Sequence, residues 1–239
     1  MKKFSLNDIP KQIPVFPLSS TIFFPNTILP LNIFEPRYKQ MVEDAIKGDQ
    51  LIGMIQTKKF NEEKQKSILF DIGCVGYIEN HFKTPDGRYL INLKGVSRFK
   101  IIKEVKNGNL YREFDVDYLN FVNDFKDIKK ENMKNINVHE LIDKTKKFFK
   151  LNQLSTDWKV VEEVSPDQLV NSLSMICPFS VGEKQRLLET LALEDRNAIL
   201  NQIINFYLLG QATSDERKIH WLRPFIHRIK KLSIIFCLS

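Results

Sequence analysis

The chain has 239 residues, 43% hydrophobic and 27% charged, which is the composition of an ordinary globular protein with one large domain or two small ones. Its three cysteines are far apart and lack CxxC spacing, which argues against a disulfide framework and favours a reduced, cytoplasmic setting. No apolar segment follows the two lysines near the N-terminus, and the late apolar run 232–238 is too short to span a bilayer, so we expect a soluble protein without a secretory signal.

The formal charge of +7 is concentrated near the C-terminus. Residues 211–239 hold six cations and two acidic residues, which leaves a surplus of only +3 for the rest of the chain. Such a mild excess, spread over a long chain, is usual for a solvated surface. The charge distribution therefore makes nucleic acid an unlikely partner for the body of the protein.

Up to about residue 120 the apolar pattern is typical of β-strands. Four prolines interrupt the early segment VFPLSSTIFFPNTILPLNIFEPRYKQMVED, which begins at Val15. Proline cannot donate to a strand ladder and therefore suits edges, strand starts and bends. Turn residues at 84–87 (TPDG) and 107–109 (NGN) predict two hairpins. The predicted strands cover 13–16, 27–34, 51–55, 73–82, 88–94, 98–106 and 110–118.

One helix is predicted among these strands. It begins at Pro36, where the first helical turn tolerates proline, and it ends at Gly48. Its apolar residues recur at helical spacing: Tyr38, Met41, Val42, Ala45 and Ile46. Residues 1–120 therefore predict a closed or nearly closed β-barrel of about six strands with one early helix.

A polar, lysine-rich stretch at 121–137 predicts a linker or the start of a loosely packed helix, and the pattern after it is helical. Apolar stripes predict helices at 139–150, from SPDQ (165–168) to 176, after the Ser180–Glu183 capping box, and over 199–208 with an end at Gly210. Residues 138–211 therefore predict an α-helical bundle, and the fold class is α+β. Residues 212–239 predict a basic amphipathic tail, for which membrane contact and docking onto the bundle remain open.

Motifs for catalysis and metal binding are absent from the sequence. There is no phosphate-binding GxxxxGK[ST] loop, no HExxH and no GxSxG, and the four histidines are scattered. Asp115 and Asp117 alternate with core-type residues, which favours solvent-facing strand positions over a catalytic carboxylate pair. We therefore predict no enzymatic activity, no catalytic residues, no metal site and no cofactor.

Aromatic residues offer the best candidates for a binding surface, since the chain has eighteen phenylalanines. A protein that recognises unfolded chains needs exposed apolar surface. The candidates for contact with apolar peptide segments are Phe23, Phe24, Phe34, Phe82 and Phe99. The alternative for each of them is a place in the barrel core, and the sequence does not separate these two groups.

Several of these segments resemble a known family. The stretch from Ile13 to Gln56 (IPVFPLSSTIFFPNTILPLNIFEPRYKQMVEDAIKGDQLIGMIQ), the glycine-rich strand DIGCVGYI, the hairpin PDGRYLINLKGVSRFKI and the later CPFSVGEKQRLLET are similar, in the same order, to the N-terminal substrate-binding domain of Lon proteases. The resemblance runs from about residue 13 to residue 211 and implies a PUA-like β-barrel followed by a helical bundle. The ATPase and serine–lysine peptidase of full Lon proteases lie in later domains, which agrees with the missing motifs.

The resemblance implies a non-catalytic module that binds unfolded or apolar-rich polypeptides in protein quality control, together with a protease or chaperone. The family's EPR and G-x-x-R-F patterns fall on five residues that we expect to be structural: Glu35, Pro36, Arg37, Tyr38 and Arg98. For the two arginines we favour a structural ion pair or carbonyl contact over ligand binding. The alternative function is RNA binding, because PUA-like barrels also serve that purpose and the chain is basic.

Overall fold

A β-barrel forms the first half of the chain in the computed structural model, which describes residues 3–19, 21–61, 66–126 and 136–212. Its strands, in chain order, are β1 (Gln12–Leu18), β2 (Ile28–Ile33), β3 (Leu51–Asn61), β4 (Lys66–Leu69), β5 (Ile72–Lys83), β6 (Tyr89–Val105) and β7 (Arg112–Asp117). Helix α1 (Pro36–Lys47) lies between β2 and β3. It has proline in its first turn, and the Gly48 N–H caps its last carbonyls, as the sequence predicts.

The barrel closes because β1 pairs on both sides. It runs antiparallel to β7 and parallel to β3, so the ring passes from β1 through β7, β6, β5 and β3 back to β1. Two strands lie outside this ring: β2 pairs with the first half of β6, and β4 pairs with the end of β3. Closure removes free edges from the ring, whereas strands that extend beyond it keep one.

Strand β6 joins two of the predicted strands, 88–94 and 98–106, into one strand of 17 residues. The strand continues through Gly95. The backbone of Phe24 and Pro25 crosses directly over this residue, which must be glycine because any Cβ would overlap the Phe24 carbonyl group. Backbone hydrogen bonds hold this crossing, from the Asn26 N–H to the Gly95 oxygen (3.0 Å) and from the Gly95 N–H to the Thr27 oxygen (2.8 Å). The short strand β4 was not predicted. The described residues of the barrel unit contain seven strands, five in the ring and two outside it.

The segment after β7 corrects the predicted linker at 121–137. Residues Leu119–Phe125 form a 3₁₀ helix, with Phe121 buried. The chain divides into two compact units, residues 1–127 and 128–239, and the 3₁₀ helix belongs to the first of them. The early part of the predicted linker is therefore part of the barrel unit.

The second unit is helical. Its described helices are α2 (Val138–Leu151), α3 (Trp158–Glu163), α4 (Pro166–Ile176), α5 (Val181–Glu189) and α6 (Leu193–Ala212). Helix α6 continues through Gly210, where we predicted its end, and α3 was not predicted because six residues carry too little periodicity. The α+β fold class, a barrel followed by helices, is confirmed.

The predicted tail, apart from its first residue, lies outside the described residues. No helix of the described ranges is long and apolar enough to cross a membrane.

Candidate functional site

Three of the five candidate phenylalanines are buried in the barrel unit, which corrects their proposed contact role. Phe23, Phe24 and Phe99 are almost completely buried. Glycine makes room for two of these rings, since a Cβ on Gly73 would lie 2.7 Å from the Phe99 ring and one on Gly76 would lie 2.6 Å from the Phe23 ring. These aromatic side chains pack inside the barrel unit and leave almost no surface for a bound polypeptide.

The other two candidates are exposed. Phe34, directly after β2, is 62% exposed, and Phe82, near the end of β5, is 60% exposed. Leu90 of β6 is 43% exposed and pairs in register with Phe82 on one side and with Asn32 on the other. Paired residues in neighbouring strands point to the same face, so Phe82 and Leu90 share one. Phe34 directly follows Ile33, whose partner Tyr89 precedes Leu90, so it lies at the same end of this sheet. We name Phe34, Phe82 and Leu90 the apolar patch.

Sequence reasoning missed Leu90. Its strand alternates between Tyr89, Ile91 and Leu93, which are buried, and Leu90, which is not. An apolar residue on both faces of a strand usually indicates burial on both sides. The exposure of Leu90, between its partners in β2 and β5, shows that the described residues of the barrel unit leave its face of the sheet uncovered.

Charged groups on the opposite face of this part of the sheet are paired within the protein, since Lys83 and Tyr89 alternate with Phe82 and Leu90 along their strands. Glu43 of α1 accepts hydrogen bonds from the Tyr89 hydroxyl (2.7 Å) and the Lys83 ammonium group (3.1 Å). The hydrogen bond from Tyr89 and then that from Lys83 lower the pKa of Glu43, while the same network raises the pKa of Lys83. Both groups are therefore charged over a wide pH range and form one ion pair.

Two further ion pairs flank the patch. The Arg88 guanidinium lies 2.7 Å from a carboxylate oxygen of Asp86 in the hairpin turn, and the Lys94 ammonium lies 3.8 Å from Glu79. Lys83, Arg88 and Lys94 thus each have a carboxylate partner, whereas the Lys39 ammonium lies near Gly87 of the same hairpin turn. Pairing reduces the positive charge that the first three groups could offer to a phosphate backbone.

The EPRY motif starts α1 and anchors it to the barrel. Glu35 is the N-cap residue and Pro36 occupies the first turn. Arg37 donates two hydrogen bonds to one Glu35 oxygen, at 2.9 and 2.7 Å, and both side chains are largely exposed. Tyr38 is buried against Phe16, with the ring centroids 4.2 Å apart, and this burial raises the pKa of its hydroxyl. The motif thus fixes the N-terminal end of α1, which begins two residues after Phe34.

Arg98 forms the most enclosed ion pair of the barrel unit among the described residues. Its guanidinium donates to both oxygens of Asp124, at 2.9 and 2.7 Å, and the Arg98 backbone N–H donates to the same carboxylate at 2.9 Å. The two side chains are 3% and 9% exposed. The guanidinium also lies 4.8 Å from the centre of the Phe121 ring. Arg98 therefore fastens the 3₁₀ helix to the barrel wall.

The helical unit contains a buried cation that the sequence did not reveal. Lys184 of α5 donates to the Met175 carbonyl oxygen at 3.0 Å, near the end of α4. Burial lowers the pKa of Lys184 to about 8 and raises the pKa of the Cys177 thiol to about 12. The Gly182-Glu183-Lys184 sequence thus serves helix packing, and its lysine is directed at a backbone carbonyl. In the described part of the chain, no group of three or more His, Cys, Asp or Glu side chains could hold a metal ion.

Comparison with known proteins places this architecture in a family. Residues 12–205 match the family described as the ATP-dependent protease La (LON) substrate-binding domain. Lon protease 2 of Myxococcus xanthus is 26% identical over 201 residues, which are 83% of this chain and 24% of that protein. Lon protease 1 of Bacillus subtilis is 23% identical over 203 residues, which are 83% of this chain and 25% of that protein. The chain therefore spans about a quarter of the length of these curated relatives.

Two solved structures share the fold. The Lon N-terminal domain protein from Xanthomonas campestris has a TM-score of 0.55 at 19% identity and covers 81% of this chain and 97% of its own. The N-terminal domain of the Mycobacterium avium complex Lon protease has a TM-score of 0.59 at 13% identity and covers 81% and 98%. With the family match over residues 12–205, these likenesses lead to one conclusion: the chain belongs to the family of Lon substrate-binding domains.

Proposed function

We propose that this chain is a non-catalytic polypeptide-recognition module, which binds unfolded, apolar-rich segments through the apolar patch of Phe34, Phe82 and Leu90. The observation that carries the proposal is the exposure of three large apolar side chains at one corner of a barrel whose other candidate phenylalanines are buried. Clustered apolar surface of this kind is typical of an interaction site.

The family match supports a role in substrate binding, and the relatives are named as Lon proteases. We infer that the chain works in protein quality control in the cytoplasm and presents its clients to a protease or a chaperone. It supplies recognition, whereas cleavage and ATP hydrolysis belong to its partner. Purified protein should therefore show only background turnover of ATP and of unfolded casein.

Binding is expected to be weak and independent of nucleotide. An unfolded client loses conformational entropy when it is ordered, and a patch of three side chains offsets only part of that cost. Because apolar contact dominates, the affinity should change little between low and moderate salt. RNA binding would instead weaken steeply with salt, because it depends on counterion release.

The test compares wild-type protein with the double variant Phe34→Ser/Phe82→Ser. Affinity for a labelled unfolded protein should fall by about tenfold or more, since each phenylalanine loses roughly 1 kcal/mol or more of apolar contact. Ile102→Ser is the matched control, because Ile102 is equally exposed (61%) but lies outside the patch on the second half of β6. Fluorescence anisotropy across a salt series gives the dissociation constants.

RNA binding is the alternative outcome of the same experiment. A labelled single-stranded RNA should bind poorly, because Lys83, Arg88 and Lys94 of this hairpin are each paired with a carboxylate. Tight, salt-sensitive RNA binding together with undetectable polypeptide binding would reject the proposed function.

A further inference from the structure

Strand β5 leaves the barrel ring before it ends. Its first half pairs with β3 from Cys74 to Tyr77, and its register with β6 shifts between Ile78 and Asn80. From residue 79 to residue 83 its only strand neighbour among the described residues is β6. All five of these residues are exposed. We name residues 79–83 the β5 edge.

The hydrogen-bond pattern indicates which backbone groups face outwards along this edge. At the hairpin turn the Thr84 N–H donates to the Arg88 oxygen at 2.9 Å, so the Thr84 backbone faces β6. Residues alternate in direction along an antiparallel strand. His81 and Lys83 therefore direct their N–H and C=O groups away from β6. The Ile78 N–H also faces away from β6, since it donates to the Gln50 oxygen at 2.8 Å.

Strand β6 lies between β5 and β2, and the free edge of β2 differs from the β5 edge. Strand β2 pairs with β6 along its length and carries Pro30 in its middle, in register with Asn92. Proline has no N–H to donate and is found on edge strands with that side facing solvent. The outer edge of β2 therefore lacks a full row of donors, whereas the β5 edge contains no proline.

The surroundings of the β5 edge fit an extended, uncharged polypeptide. Phe82 and, next to it in register, Leu90 offer apolar contact on one exposed face. The charges of Lys83, Arg88 and Lys94 near the edge are each paired with a carboxylate, which favours a segment without net charge. An added strand would place every second side chain on the face of the apolar patch.

We infer that the β5 edge binds its client by strand addition: an extended segment with apolar residues at alternate positions pairs with His81 and Lys83 and lays those residues on the apolar patch. The inference rests on the proposed function and adds the conformation and pattern of the bound segment. Main-chain hydrogen bonds supply affinity without sequence preference, and the alternating contacts supply selectivity.

The decisive variant is His81→Pro, which removes an outward N–H without removing a bond to β6. His81→Ala is its control, because it removes the same side chain but keeps the N–H group. The probe is a labelled unstructured peptide of about ten residues with leucine at alternate positions, a length that covers the edge. His81→Pro should weaken its binding by roughly tenfold, as loss of backbone hydrogen bonds requires, while His81→Ala should bind like wild type.

A second measurement is independent of how well the variant folds. The same peptide, N-methylated at alternate amides in each of the two possible phases, is bound to wild-type protein. If the peptide binds by strand addition, one of the two N-methylated peptides loses binding and the other retains it, since only one set of alternate amides faces the β5 edge.

The outcomes separate this inference from the proposed function. If both N-methylated peptides bind normally and His81→Pro has no effect, while Phe34→Ser/Phe82→Ser abolishes binding, strand addition is wrong and the apolar patch stands. If none of these changes matters, the proposed function fails as well. Concentration-dependent dimerisation that His81→Pro abolishes, without peptide binding to wild type, would show that the edge pairs with a second copy and would overturn the inference.

Discussion

The barrel unit and the helical unit bury polar groups to very different extents. Among the described residues, four polar or charged side chains are buried in the barrel unit and nine in the helical unit. In the barrel ring each strand has neighbours on both sides, so the backbone of one strand satisfies that of the next. Short helices instead leave their last carbonyl groups without partners.

Buried cations satisfy those carbonyl groups in the helical unit. Arg196 donates to the Leu187 oxygen (3.0 Å) and the Thr190 oxygen (2.8 Å) at the end of α5, and to the Asn171 side chain (2.8 Å). Lys184 does the same for Met175 near the end of α4. Positive charge at a helix C-terminus also interacts favourably with the helix dipole. The comparison shows that side chains stabilise the ends of short helices, whereas backbone pairing stabilises the barrel.

Removing the Arg196 side chain should break the helical unit most severely. Arg196→Met should lower the free energy of unfolding by roughly 3–5 kcal/mol, because two buried acceptors and one partly buried acceptor lose this donor. Urea unfolding followed by far-UV circular dichroism, to which the strands and the helices both contribute, measures the loss. Arg112→Met is the control in the barrel unit; its guanidinium is partly exposed, so about 1 kcal/mol or less is expected. Equal losses in the two variants would refute the distinction between the units.

Gly95→Ala should damage the barrel unit, with an expected loss of about 3 kcal/mol from overpacking. The new methyl group would meet the backbone of Phe24, which cannot rotate away. Gly210→Ala in α6 is the matched control, since nothing lies within 4 Å of the added atom and alanine favours helix by about 1 kcal/mol. Urea unfolding followed by far-UV circular dichroism compares the two, and equal effects would show that the crossing over Gly95 is not tight.

The N-cap serines of α4 and α5 test how much a side chain stabilises a helix end. Ser180 accepts a hydrogen bond from the Glu183 N–H in a complete capping box, whereas Ser165 makes no hydrogen bond to its helix backbone and donates to Gln168 instead. Ser180→Ala should cost about 1 kcal/mol and Ser165→Ala only a few tenths. Thermal unfolding of both variants checks this order; a larger loss at Ser165 would contradict it.

The buried lysine gives the smallest effect, a pH dependence. The pKa of Lys184 is about 8 in the folded unit and 10.5 in its ordinary state, so the unfolded chain binds more protons between these values and the free energy of unfolding rises with pH. Above pH 9 the Cys177 thiol opposes this rise, because its pKa is raised from 9.0 to about 12. Between pH 8 and 9 the gain should be at most about 1 kcal/mol.

Lys184→Met should abolish this rise, which urea unfolding at pH 8.0, 8.5 and 9.0 detects. An unchanged slope in the variant would assign the pH dependence to another group.

Local patterns predicted much of this structure. Proline and glycine marked both ends of α1, Ser180 and Glu183 marked the start of α5, and the TPDG turn marked the β5–β6 hairpin. These signals act over a few residues, so the sequence alone determined them. The family resemblance, confirmed over residues 12–205, rests on the order of such segments.

Which phenylalanines face solvent was decided only by the tertiary structure. Phe23 and Phe82 are both aromatic residues in or near strands, yet one fills the space above Gly76 and the other lies on an exposed face. Alternation gives a strand two faces but does not state which face a distant strand or helix covers. The β5 edge arises in the same way, because β3 begins at Leu51, opposite Tyr77, and β5 continues beyond that point; the pairing register, not a local pattern, sets where this happens.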